Sequence, residues 1–243
     1  MTIGVLHYIL GLPGAGKTTT TKSVMETLDL HDFVWDVSQM TSPERKAEIG
    51  KQRLSFKATP DLSIVVLGNY TTGSALIAHE LAGPDKYSPP QRTRVKTLLA
   101  ELAARGKTRH IVFDGLRLLS AGGKPLQDAI FATTKEVVVH HLDTPLGTCQ
   151  TRFRIRNEVM VKEGRLPRYP TKFNLPATWA DLRKKIDRYV GDKRVSAIHH
   201  HADSTAAAQA VKLALAGSGR DDVAVVVGKK RRRSARLAGL GAK

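Results

Sequence analysis

Eight residues near the amino terminus constrain the fold of this chain more than any others. Gly11-Leu12-Pro13-Gly14-Ala15-Gly16-Lys17-Thr18 follows the apolar run Val5 to Leu10 and precedes a Thr-rich segment ending near Leu28. The run reads as a buried strand, the Gly/Pro stretch as a tight loop and the segment after it as a helix. Gly-x4-Gly-Lys-Thr in that setting is a phosphate-binding loop. Its backbone N–H groups wrap an anion, the helix N-terminus adds positive potential, Lys17 reaches phosphate oxygens, and the Thr18 hydroxyl can ligate magnesium. The candidate nucleotide-binding residues are Gly11, Pro13, Gly14, Ala15, Gly16, Lys17, Thr18 and Thr19.

Further short apolar runs at Phe33 to Val37, Ser63 to Leu67, Arg109 to Asp114 and Val137 to Leu142 suit parallel strands covered on both faces. Helices are expected between them. Ser42-Pro43-Glu44 starts one that runs to about Arg53, Ser88-Pro89-Pro90 starts one through Ala104 that Gly106 ends, and Asp143 before Pro145 starts a third. After Lys162, Gly164, Pro167, Pro170 and Pro176 punctuate a basic stretch expected to be a long mobile loop. Ala177 to Tyr189 reads as a helix, Val195 to His199 as a last strand and Ser204 to Leu215 as an Ala-rich closing helix. The alternation predicts one doubly wound α/β domain with a parallel sheet over residues 1–216, a lid over about 150–176, and a basic, disordered tail over 217–243. Val223 to Val227, the longest aliphatic run, could add an edge strand.

That run is far too short for a bilayer crossing, and no basic segment precedes the first apolar stretch, so neither a membrane partner nor secretion is expected. Cys149 is the sole cysteine, which excludes an intramolecular disulfide, suits a reducing cytoplasm and reads as ordinary packing. The formal charge of the 243 residues is +17. The final fifteen residues contribute +7 of it through Lys229, Lys230, Arg231, Arg232, Arg233, Arg236 and Lys243, leaving +10 on the body. A body and a tail both so basic point to a polyanionic partner such as nucleic acid.

His110-Ile111-Val112-Phe113-Asp114 is an apolar strand ending in a carboxylate, the arrangement that places an acid near a nucleotide-bound metal. Asp114 is thus a second metal-site residue beside Thr18. Gly115 stands where a water-activating Glu would favour hydrolysis, and neither a GTPase base-recognition motif nor a transporter signature is present. The small kinases remain. Asp36, at the carboxyl end of the second strand and expected to face the loop across a cleft, is the candidate base for an acceptor hydroxyl. Arg152 and Arg156 share a helix face and, with Arg165 and Arg168, supply lid cations for a transferring phosphoryl group. His199-His200-His201 reads as a solvated cluster, since adjacent strand side chains point to opposite faces; His140-His141 reads the same way.

The middle of the chain resembles the phage 5-hydroxymethyluridine DNA kinases, a family of P-loop kinases. The resemblance rests on Val65-Val66-Leu67-Gly68-Asn69-Tyr70, Ala82-Gly83-Pro84-Asp85-Lys86-Tyr87-Ser88 and Val112-Phe113-Asp114-Gly115-Leu116-Arg117-Leu118, in the family's order and spacing. Arginine pairs and the segment from Arg165 to Asn174 are similar to its lid. Asn69, Pro84, Tyr87 and Asp114 differ from the family's lysine, threonine, leucine and glutamate. The resemblance implies ATP with Mg2+ as cofactors, DNA containing 5-hydroxymethyluracil as substrate, Asp85 and Arg117 as substrate-site residues, and a host cytoplasm as location. Two other activities compete at this stage. Asp114-Gly115-Leu116-Arg117 also resembles a pattern of nucleoside monophosphate kinases, and a nucleic-acid-dependent ATPase would share the basic surface.

Overall fold

The computed structural model describes residues 2–35, 54–68, 89–115, 124–164 and 174–217. Asp36, Asp85, Arg117, Arg165 and Arg168, the helix expected from Ser42 to Arg53, and the tail from residue 218 lie outside the described residues.

Among the described residues, seven strands form one sheet: β1 (Ile3–Gly11), β2 (His31–Trp35), β3 (Leu54–Ala58), β4 (Ile64–Val66), β5 (His110–Asp114), β6 (Thr134–Leu142) and β7 (Val195–His201). Their spatial order is β2-β3-β4-β5-β1-β6-β7. The helices described are α1 (Lys17–Met25), α2 (Pro89–Arg105), α3 (Lys124–Thr133), α4 (Leu146–Lys162), α5 (Leu175–Val190) and α6 (Ser204–Gly217).

β1 is central because its sequence is apolar on both faces: Ile3, Leu6, Tyr8, Ile9 and Leu10 are all fully buried. It pairs parallel with β5 on one side and β6 on the other. Right-handed crossovers put the connecting helices on definite faces. Helices α2 and α3 pack together on one, where Tyr8 stacks on Phe113 and meets Tyr189 of α5 edge-on. On the other, α1 packs against α6. Gly106, at φ 67, ends α2 in the left-handed conformation expected of it.

The sheet is mostly parallel but mixed, which corrects the all-parallel expectation. β3 is antiparallel to both β2 and β4. Its sequence, Leu-Ser-Phe-Lys-Ala, hides the strand behind a lysine, yet Lys57 is buried beside Phe56 and Ala58 and donates to Asp32 of β2 at 2.7 Å. Only residues 59–63 separate β3 from β4, too few for a parallel crossover. The turn is held by Asp61, whose carboxylate accepts from the Ser63 amide and from the Thr59 and Ser63 hydroxyls.

A second correction follows from the same strand. β2 is parallel to β1 but lies four strand spacings away, about 19 Å by ordinary sheet geometry. The second strand therefore does not face the phosphate loop directly across a cleft. Of the residues expected to form a lid, 150–162 lie in helix α4, as the helix expected after Asp143 requires, and α5 begins at Leu175 with the Asn174 side chain accepting from the Ala177 amide as its N-cap. Among the described residues, no helix is long and apolar enough to cross a membrane.

His140-His141 is not a solvated cluster, whereas in the other cluster His199 and His200 are exposed, as expected, and His201 is half-buried. His140 and His141 are buried at 2% and 5% exposure because β7, parallel to β6, lays His201 and His200 against them on opposite faces of the sheet.

Candidate active site

The loop after β1 takes its shape from its glycines. Gly14 and Gly16 have φ of 85 and 99, the left-handed region where a Cβ is strained. Each also sits against a neighbour. A Cβ on Gly14 would come within 2.7 Å of the Cys149 carbonyl oxygen, and one on Gly16 within 3.0 Å of the Ser204 Cβ. Gly16 is the N-cap of α1 and has no side chain to occupy the helix's first amides, which leaves them to an anion. Lys17 Nζ folds back to donate to the carbonyls of Gly11 and Leu12, at 2.8 and 2.9 Å, which keeps the ammonium over the loop.

Two buried groups support the loop from beneath. The Thr144 hydroxyl donates to the Ala15 carbonyl at 3.1 Å. Cys149 packs against Gly14, its thiol directed to the Thr144 carbonyl and pushed up in pKa by burial. A third prop comes from the start of α6, where the Ser204 carbonyl accepts from the Thr20 hydroxyl at 3.2 Å. Packing is what Cys149 does, as its sequence suggested. Thr144 and Ser204 were not singled out in the sequence, since each acts through a contact more than a hundred residues away in the chain.

Asp114 is brought to the loop by strand pairing. It ends β5 opposite Ile9 of β1, is buried at 3% exposure, and accepts from the Thr18 hydroxyl at 3.3 Å. The next residue, Gly115, is tied down by the Tyr8 hydroxyl, which donates to its carbonyl at 2.9 Å. The Thr18 hydroxyl and the Asp114 carboxylate are hard oxygen donors of the kind Mg2+ takes, usually one or two protein ligands completed by water and phosphate. Among the described residues, no three His, Cys, Asp or Glu side chains could together hold a metal ion.

Arg152 lies on α4 with its guanidinium donating to the Gly14 carbonyl at 3.3 Å while remaining solvent-exposed. It thus stands at the mouth of the loop. Arg156 lies one turn further along the same helix. The geometry brings together Gly11 to Thr18, Asp114 and Arg152, all singled out from sequence.

No protein-family model matches the chain, and no curated protein matches it. Among solved structures, it is similar to an unliganded sugar kinase from Janibacter sp., at 16% identity and a TM-score of 0.35, over 90% of this chain and 94% of that one. A likeness at this level carries no argument about fold or activity.

Proposed function

We propose that this chain is an ATP-dependent kinase that phosphorylates the 5-hydroxymethyl group of 5-hydroxymethyluracil in DNA. The observation that carries the phosphoryl-transfer reading is the Thr18–Asp114 contact beside a glycine-shaped loop, which sets two oxygen donors next to an anion cradle. Thr18 and Asp114 would hold a magnesium ion, which would supply charge neutralisation for the triphosphate.

The chain's own residues supply the rest. The Gly14 to Thr18 amides and the ammonium of Lys17 hold the phosphates. Arg152 and Arg156, with Arg165 and Arg168, stabilise charge on the phosphoryl group in flight. As the acceptor oxygen bonds to the γ-phosphorus, the bond to the β–γ bridging oxygen breaks and the hydroxyl proton passes to Asp36. Asp36 directly follows Trp35 at the carboxyl end of β2, on the same edge of the sheet as the loop but four strands from it, so that last role requires the bound substrates to span this distance. Asp85 and Arg117 hold the modified base.

Two features support transfer to a polymer over hydrolysis or monomer phosphorylation. Gly115 places no carboxylate beside Asp114 to activate water, and the charge of +17 far exceeds what a nucleotide pocket uses. The test is incubation with ATP and Mg2+ plus DNA containing 5-hydroxymethyluridine, unmodified DNA, or free nucleoside monophosphates, with products identified by mass spectrometry. Phosphate on the hydroxymethyl base in DNA is expected. Phosphorylated monomers beside untouched DNA, or ATP hydrolysis stimulated equally by any DNA, would replace the proposal with one of its rivals.

A further inference from the structure

Four histidines that the phosphate chemistry does not use form a line across the sheet. His110 opens β5, His7 lies within β1, His140 lies in β6 and His201 ends β7. The register sets His7 opposite Val112 and Val138, His140 opposite Ile9 and His199, and His201 opposite Leu142. Each step along the line therefore moves one strand sideways and two residues toward the carboxyl edge, on the face covered by α1 and α6.

The links are hydrogen bonds between ring nitrogens. His110 Nδ1 is 3.1 Å from His7 Nε2, His7 Nδ1 is 3.2 Å from His140 Nε2, and His140 Nδ1 is 3.2 Å from His201 Nε2. The ring centroids are 5.3, 5.5 and 5.4 Å apart. These separations exceed the nitrogen distances by the width of one ring, so the rings meet end to end and each bond runs along the line of centroids.

Every link joins Nδ1 of one ring to Nε2 of the next. A neutral imidazole has one N–H and one acceptor nitrogen, so a single tautomer repeated in all four rings satisfies all three bonds. The direction follows from the inner end. His110 Nε2 is buried with no hydrogen-bond partner among the described residues, and a lone pair is less costly there than an orphaned N–H. The chain thus carries its protons on Nδ1 and donates from His110 outward to His201. An added proton cannot be placed on an inner ring without setting two donors face to face or driving an N–H into that buried end.

The surroundings also oppose a positive ring. Arg109 precedes His110, and His199 bears on His7, His140 and His201, the last also facing His200. The charged residues of α1 are Lys17 and Lys22, and that of α6 is Lys212. Asp114, further along β5, is engaged by Thr18, while Asp203 acts on His201 in the favourable sense. Burial holds His7 down to about 3 and His140 to about 2, and lowers His110 and His201.

The outer end of the chain meets the props of the phosphate loop. The His201 carbonyl accepts from the Asp143 amide at 2.8 Å, and the next residue, Thr144, holds the Ala15 carbonyl. Two residues after His201, Asp203 caps α6 through the amides of Thr205 and Ala206, both at 2.9 Å, and Ser204 then holds Thr20 and packs on Gly16.

We propose that the His110–His7–His140–His201 chain is a proton-sensitive latch: neutral and continuous, it seats the end of β7 and the start of α6 against the phosphate loop, and its protonation releases that loop and weakens nucleotide binding. The choice of nucleotide as the ligand rests on the reading given above. Each ring that regains its ordinary titration on release multiplies the released population by up to roughly tenfold per pH unit below about 6.5.

The test combines two measurements on the full chain. Nitrogen-15 NMR of the imidazoles at pH 7.5 should show His7, His110 and His140 protonated on Nδ1; Nε2–H tautomers, or rings that titrate near 6.5 in the folded protein, would overturn the chain. Affinity for ATP·Mg2+ is then compared between the wild type and His201→Asn at pH 7.5 and 5.0, near-UV circular dichroism confirming tertiary packing at both. The variant is expected to bind at least tenfold more weakly at pH 7.5 and to converge with the wild type at pH 5.0, protonation of the nucleotide itself cancelling in the ratio. A ratio that stays constant with pH marks a merely structural histidine and overturns the latch. Absence of ATP binding at either pH overturns the nucleotide reading instead, and the ring tautomers still decide for or against the chain.

Discussion

The hydroxyl of Thr18 and the carboxylate of Asp114 meet at 3.3 Å across the β1–β5 pair, joining the first helical turn after the phosphate loop to the carboxyl end of the neighbouring strand. Neither residue reaches this position alone. Asp114→Asn keeps the shape of the side chain but removes its charge. It is expected to weaken the magnesium-dependent part of ATP affinity by roughly 10- to 100-fold, the worth of a charge-assisted contact. Titrating Mg2+ against bound ATP checks this, and an unchanged magnesium dependence would remove Asp114 from the site.

Gly14→Ala is expected to cost about 1–3 kcal/mol for the left-handed conformation alone, with the Cys149 carbonyl in the way of the new methyl group. Gly147→Ala is the matched control, since its Cβ would meet nothing within 4 Å. Thermal melts should show a lower Tm and lost ATP binding in the first and an unchanged or slightly higher Tm in the second, because alanine favours the helix.

Stability should fall in acid through the buried histidines. A histidine whose folded pKa lies below its unfolded value takes its proton first in the unfolded chain, so its contribution is complete above about 6.5 and is lost as pH falls. His7, held to about 3, and His140, held to about 2, together give a slope of up to about 2.7 kcal/mol per pH unit from about pH 6 down to the pH at which the rings take their protons in the folded chain. His141, held to about 4 by burial on the opposite face, adds to it until pH nears that value. Urea unfolding at stepped pH measures the slope; a flat profile over that range would contradict the burial of these rings.

Deleting residues 229–243 removes seven positive charges. DNA affinity and the steepness of its salt dependence should both decrease, while turnover of any small substrate is spared. Equal slopes with and without the tail would show that it does not touch the DNA backbone.

Asp36→Asn should retain ATP binding and lose phosphoryl transfer, read as product formed in a single turnover. Transfer at the original rate would assign the base elsewhere, in line with the position of β2 at the far edge of the sheet.

The strand, glycine turn and helix around residues 11–18 were legible in the sequence because they are local: the glycines, Lys17 and Thr18 lie within eight consecutive residues, and strand and helix flank them by their own periodicity. The same holds for Asp114, since an apolar strand ending in an acid on a parallel sheet reaches the ligand edge wherever it pairs. β3 was missed for an equally local reason. Lys57 interrupts its apolar pattern, and only the pairing with Asp32, 25 residues away, makes that lysine a core residue.

Sequence alone thus determined what each segment could contribute: an anion cradle, an acid at a strand end, a helix bearing arginines and a strongly basic surface. Tertiary structure decided which of them meet. Thr144 and Ser204 became supports of the loop, and His110, His7, His140 and His201 became one hydrogen-bonded chain, because parallel strand register and the helices packed on it bring together residues up to 184 positions apart. Register is set by the packing of whole strands, and no pattern within a single strand records which residue will stand two places above its neighbour's histidine.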